Sequence, residues 1–304
     1  MGSYACEFSE RPEMATNDTL NKKMMERLIN ETDSVYSLPL IYERLTEVIN
    51  HPRSSITDIT RIISEDQGLT ARLLKLANSP MFGFFSKIDT IDKAATIIGT
   101  QQLQALALAV SVMEIFTGIP EELVNMKSFW QHSIACGIIA RTLAIYHRDI
   151  NAERVFAAGI LHDVGRLVMF TTIPEIVKEM IVESREEESL LYWIEENRFG
   201  FTHANVGGRL LANWNIPESI AEPVYCHHSP VEAKKFPLET SFIHMADIIC
   251  KALGIGSNGE QFVPPLEPST WERMGIPAGS LVEIVRYAEP QLEETLAILG
   301  KNAS

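Results

Sequence analysis

The sequence predicts an all-α protein. Three observations carry this. Apolar residues recur at spacings of three and four along most of the chain. No segment alternates apolar and polar residues as a half-buried strand does. Gly, Pro and Asn breaks fall at helix-length intervals. There is no repeat of fixed period, so a solenoid is not expected.

Residues 1–18 are polar and irregular and read as an arm. Residues 19–30 have a helical look that breaks at Asp33-Ser34. From Leu38 the pattern is dense: Leu40, Ile41, Leu45, Val48 and Ile49 share a face, and His51-Pro52 stops it. Ser55 is placed to cap a second helix through Ile56, Ile59, Ile62 and Ile63. Leu69, Leu73, Leu74 and Leu76 make a third, ended by Asn78-Ser79-Pro80. Phe82, Phe84 and Phe85 fall in a loop around Gly83. Asp89 or Thr90 can cap a helix that stops at Gly99, and another runs from about Gln101 to Phe116. Gly118 and Pro120 then mark a boundary.

The second half predicts helices over 129–146, 152–170, 172–183, 188–198, 203–214, 217–226 and 238–253. Residues 254–270 are rich in Gly, Pro and Ser and read as a loop, and a last helix over about 280–299 caps the fold. The expected organisation is an arm with a short helix over 1–36 and an N-terminal helical half over 37–119. A second helical half follows over 120–254, then a loop and capping helix over 255–304.

The length of 304 residues suits two domains, or one large domain with an extension. With 46% hydrophobic and 22% charged residues, the chain can build a sizeable core, which excludes wholesale disorder. The net charge of -14 argues against polymeric nucleic acid and against an anionic membrane surface as partners. The longest apolar-looking stretch, Leu103 to Phe116, is too short to span hydrocarbon. The opening MGSYACEFSERPEM lacks the apolar region of a signal peptide. Cys6, Cys136, Cys226 and Cys250 form no CxxC pair and read as reduced thiols, so the expected compartment is the cytoplasm.

Chemistry concentrates in the histidines. His132 lies in WQHSIACG, and His162 with Asp163 in AGILHDVGRLV. His203 lies in FTHANVGGRLL, and His227-His228 in VYCHHSP. Asp247 follows in FIHMADIIC. Neutral imidazoles and carboxylates are the usual ligands of divalent transition metals. Adjacent residues diverge by about 100° around a helix, so His162 and Asp163 can share a centre only at a helix end or kink. Gly159 and Gly165 are expected to supply that freedom.

These motifs resemble the HD superfamily of metal-dependent phosphohydrolases, and specifically the HDOD (HD-related output domain) proteins of bacterial signalling. ISEDQGLTARLLKLANSPMFG, IDTIDKAATIIGTQQLQAL, AAGILHDVGRL, HANVGGRLLANWNIPESI and HHSP match in order, over roughly residues 37–253. The resemblance implies an N-terminal helical bundle packed on an HD-superfamily helical domain.

By similarity to the HD-GYP phosphodiesterases, one metal would take His132, His162, Asp163 and Asp247. The second would take Asp163, His203, His227 and His228. A third is not expected, because Ser128 stands where a trimetal member has Glu. The GYP loop is also absent, since the chain reads HHSPVEAKKFP. Arg166 stands where relatives often have Lys and is placed to hold a phosphate oxygen. If the chain is an enzyme, Asp163 and Arg166 are its expected catalytic residues.

The expected cofactor is a divalent transition metal, two per chain, drawn from Fe, Mn, Ni, Co or Zn. The expected role is bacterial regulation through a protein partner and a small phosphorylated ligand. The alternative is an active phosphohydrolase on a nucleotide or cyclic nucleotide. His51 and His147 read as structural, and His244, one turn before Asp247, as a support for a ligand.

Overall fold

The computed structural model describes residues 17–35, 38, 40–79, 82, 84, 87–116 and 118–299. The arm over 1–16 with Cys6, and the loop residues Pro80, Gly83 and Phe85, lie outside these residues. The described residues contain helices and no strand.

The first half holds α1 (Asn17–Val35), α2 (Leu40–Asn50), α3 (Ile56–Glu65), α4 (Gln67–Ala77), α5 (Ile91–Ile98) and α6 (Thr100–Ile115). Local chemistry sets these boundaries. Ser55 and Asp58 form a reciprocal capping box at the start of α3. Thr90, not Asp89, caps α5. Asn78 closes the loop after α4: its Nδ2 donates to the Leu74 and Ile88 carbonyls, and its Oδ1 accepts from the Ile88 N–H. At Gly99 (φ 100°) the chain turns by 117° from α5 into α6. Every residue of α6 from Leu103 to Val112 is buried, which explains its all-round apolar text: it is a core helix.

The second half holds α7 (Met126–Ala144), α8 (Ala152–Leu161), α9 (Val164–Thr172), α10 (Pro174–Glu186), α11 (Leu191–Phe199), α12 (His203–Asn213), α13 (Glu218–Cys226) and α14 (Pro237–Ala252). Then come α15 (Pro268–Met274) and α16 (Ser280–Leu299). Helix α7 is central, with α8, α14 and α16 against it, while α12 packs on α9 and α13. Helix α8 also packs on α6, and α16 touches both α7 and α4, so the two halves share one core.

Four expectations are corrected. First, α1 does not break at Asp33-Ser34. It runs to Val35 and packs on α9 and α12, burying Leu28 and Ile29; apolar docking overrides the weak local text. Second, the helix expected over 152–170 is two helices, divided at His162-Asp163. Taken end to end, 152–172 is long and apolar enough to cross a membrane by composition, but 89% of its most apolar window is buried inside the protein.

Third, Gly159 and Gly165 do not loosen this break. Each permits a backbone-to-backbone crossing. A Cβ on Gly159 would lie 2.6 Å from Gly137 Cα on α7, and one on Gly165 would overlap the His203 carbonyl on α12. Fourth, the loop expected over 254–270 ends early, because Pro268 at the first turn and Gly275 beyond the last define α15.

A candidate metal centre

The two glycine crossings bring the expected ligands together. His132 stands on α7, His162 ends α8, and Asp163 is the residue before α9. His203 opens α12, His227 and His228 follow α13, and Asp247 stands on α14. All are buried except His228, which lies at the rim. The break between α8 and α9 lets His162 and Asp163 face one point. Asp163 is central: Oδ2 lies 3.0 Å from His162 Nε2 and 3.7 Å from His132 Nε2, and Oδ1 lies 3.0 Å from His203 Nε2. Asp247 Oδ1 lies 3.0 Å from His132 Nε2 and 3.6 Å from His162 Nε2.

The tautomers are set from outside the cluster. His162 Nδ1 is 2.7 Å from the Gly159 carbonyl, and His227 Nδ1 is 2.7 Å from the Val224 carbonyl. A carbonyl only accepts, so each Nδ1 carries a proton and each Nε2 is turned inward; His227 presents a bare lone pair there, and His162 does so in its neutral form. His162 Nε2, His227 Nε2 and Asp163 Oδ1 are buried without a hydrogen-bond partner. Orphaned acceptors in a core need a reason, and a cation among them is one. Three overlapping groups could hold a metal ion, with ligand atoms within 4.8 Å: His203/His227/His228, His132/His162/Asp247 and His162/Asp163/His227. The residues present therefore fit a metal.

Electrostatics agree with ligand protonation states at His132, His227, His228, Asp163 and Asp247, whereas without a metal His162 is favoured in its charged form. Burial pushes His132 down, and pushes His227 and His228 well below the ordinary imidazole value, so they stay neutral. Burial also works against Asp163, but the charges of His162 and His203 outweigh it and hold the carboxyl well below its usual range. For Asp247 burial is outweighed by Lys251 and His132. Burial lowers His162 too, but Asp163 reverses this and leaves it well above the ordinary value.

Several residues that shape the cluster had no role in the sequence reading. Glu195, on α11, accepts from both the backbone N–H and the ring of His203. Lys251, one turn after Asp247, places Nζ 2.6 Å from each Asp247 oxygen. Tyr192 stacks on His228 with centroids 4.0 Å apart. The loop after α14 is a cover: Gly256 lies against the α7 backbone at Ser128 and His132, and Ser257 N–H donates to the Ser128 carbonyl at 3.1 Å. From that loop Asn258 Nδ2 donates to Asp163 Oδ2, and Glu260 accepts from Leu191 N–H at 2.7 Å. Only Lys251 had a readable signal, its i+4 spacing from Asp247.

Arg166 is placed differently from the expectation. It is buried with Nη1 3.3 Å from Glu195, Nε 3.5 Å from Asp163 and Nη2 3.9 Å from Glu260. Its guanidinium faces protein carboxylates, where it balances Glu195 behind His203. His244 donates Nδ1–H to the His227 carbonyl at 2.8 Å and accepts from Glu267 N–H at 3.1 Å, so it joins a ligand to the cover. His147 donates to the Met274 carbonyl at 2.9 Å, and His51 Nδ1 accepts from Arg53 N–H. Cys136 and Cys250 are buried free thiols, and Cys226 is buried.

Fold and cluster together define an all-α protein with a buried His/Asp centre at the meeting of six helices. The chain belongs to the HDOD domain family, whose model matches residues 35–230. A protein of uncharacterized function from Treponema pallidum is 26% identical over 233 residues, which is 75% of this chain and 45% of that protein. The chain thus spans less than half the length of this curated relative. Among solved structures, an HDOD domain protein of unknown function from Geobacter sulfurreducens shares the fold with a TM-score of 0.71 at 24% identity, covering 94% of this chain and 98% of that one. A candidate metal-dependent phosphohydrolase from Shewanella amazonensis shares it with a TM-score of 0.64 at 22% identity, covering 93% of this chain and all of that one.

Proposed function

We propose that this chain is a cytoplasmic bacterial signalling protein whose HDOD fold carries a two-metal centre of HD type. The first ion is held by His132, His162, Asp163 and Asp247, and the second by Asp163, His203, His227 and His228. The observation that carries this is the pair of Nε2 atoms of His162 and His227, buried and turned inward beside Asp163 because each Nδ1 is held by a backbone carbonyl.

Bound there, such ions supply Lewis acidity and lower the pKa of water. The chain's own residues do the rest. Glu195 holds the Nδ1 proton of His203 and so aims Nε2 at Asp163. Arg166 keeps Glu195 ionised in a dry site. The cover over 254–267 seals the cluster, which favours ligand sensing over turnover. In this reading the N-terminal half over 37–119 offers the partner surface, and the second half over 120–254 senses. The test is elemental metal content of purified protein beside His132→Ala and His227→Ala. Two metals per chain, lost in stages, are expected; no metal after reconstitution overturns the reading.

The same inward imidazoles support a second reading, a metal-dependent phosphohydrolase, as the Shewanella protein is described, here acting on a nucleotide or cyclic nucleotide. Metal-dependent turnover on a nucleotide panel that is lost in Asp163→Asn and kept in His147→Ala would establish it.

A further inference from the structure

The Asp247 end of the cluster already holds a cation, and it comes from the chain itself. Lys251 Nζ lies 2.6 Å from both Asp247 oxygens, and its side chain is only 6% exposed. Asp247 Oδ1 is also the atom nearest His132 and within 3.6 Å of His162, so the ammonium sits on the oxygen that a metal at this group needs. Seven residues along the chain from Lys251, the same segment has sent Asn258 onto the other carboxylate, Asp163. At the opposite end, the group His203, His227 and His228 contains no carboxylate for an ammonium to occupy, and Arg166, 3.5 Å from Asp163 Oδ1, is shared with Glu195 at 3.3 Å.

We propose that Lys251 is a built-in competitor for divalent cation at Asp247, so that this half of the centre fills by exchange of an ammonium for the ion. The inference rests on the metal-binding reading above and adds what that reading lacks: an order of filling. The His203/His227/His228 group takes its ion at low concentration. The His132/His162/Asp247 group takes its ion only when the concentration suffices to expel Lys251. Coulomb repulsion sets the direction, because a second positive charge cannot share a buried carboxylate without cost. The displaced side chain must leave through the rim or the cover, which ties occupancy of the second ion to the conformation of residues 251–260. A graded metal response then requires no second protein.

The experiment is titration of the full chain with cobalt(II), read by its visible absorption, for the natural protein and for Lys251→Met. The natural protein should show two phases. Lys251→Met, which keeps the length and removes the charge, should tighten the second phase by about 10-fold or more and merge it with the first. A second measurement needs no variant: amine acylation at Lys251, read by mass spectrometry, should rise when the natural protein is saturated with cobalt(II). Two phases of unchanged affinity in a folded Lys251→Met protein, or acylation that ignores cobalt(II), overturn the competitor role and leave the metal centre intact. Absence of any cobalt(II) spectrum in both proteins overturns the metal centre itself.

Discussion

The Glu195 carboxylate receives His203 twice, from the backbone N–H at 2.8 Å and from ring Nδ1 at 2.6 Å. The first bond starts α12 and the second orients the imidazole, so one carboxylate fixes both where His203 stands and which nitrogen faces Asp163. Arg166 neutralises that carboxylate from behind. Glu195→Gln keeps the shape but weakens the acceptor. It should lower metal affinity at the His203 group by about 10–100-fold, with little change at the Asp247 group, as read by competition against a chromophoric chelator.

The glycine crossings set a second expectation. Gly165→Ala places a methyl group into the His203 carbonyl, and neither backbone can yield cheaply. We expect a loss of about 1–3 kcal/mol, or failure to fold, in urea denaturation. Ala at Gly279, where a Cβ meets nothing within 4 Å, should leave the midpoint nearly unchanged.

Acid should destabilise the metal-free protein. His132, His227 and His244 are held below the ordinary value of 6.5, each chiefly by burial. The unfolded chain protonates them near that pH and the folded chain does not, so their contribution is present above 6.5 and lost as pH falls. His162 is raised and works the other way, its contribution fading as pH rises. With His228 also held low by burial, four groups act against one, so the urea midpoint should fall between pH 7 and pH 5. A midpoint that rose over that interval would contradict these assignments.

Helix α1 should matter to the centre although it supplies no ligand. Leu28 is 1% exposed, on a helix that packs on α9, which begins just after Asp163, and on α12, which begins at His203. Leu28→Ala should cost about 2–5 kcal/mol, measured by chemical denaturation, where a detached arm would cost nothing.

The seven candidate residues stood out because histidine and aspartate in buried helical text have few other uses and the motifs around them fall in a recognisable order; the structure brings them together. Helix periodicity also found most element boundaries within a few residues. The residues that hold the ligands were less legible. Glu195 precedes His203 by eight residues across a turn, and Asn258 follows Asp163 by 95, so neither pairing has a spacing to read. Arg166 was expected to hold a phosphate oxygen because relatives often carry Lys there, and its contacts with Glu195 and Glu260, from α11 and the cover, have no spacing to read. The extent of α1 was hidden because Leu28 and Ile29 acquire a surface to bury only after α9 and α12 are in place.

Where α8 crosses α7, and where α9 crosses α12, peptide units rather than side chains touch. The separations among His132, His162, Asp163 and His203 are therefore inherited from bond lengths and planar amides, which do not drift when neighbouring core residues are exchanged. A designer could rewrite much of the surrounding apolar packing and keep the centre's dimensions, provided that these four small residues, Gly137, Gly159, Gly165 and Gly207, were left alone.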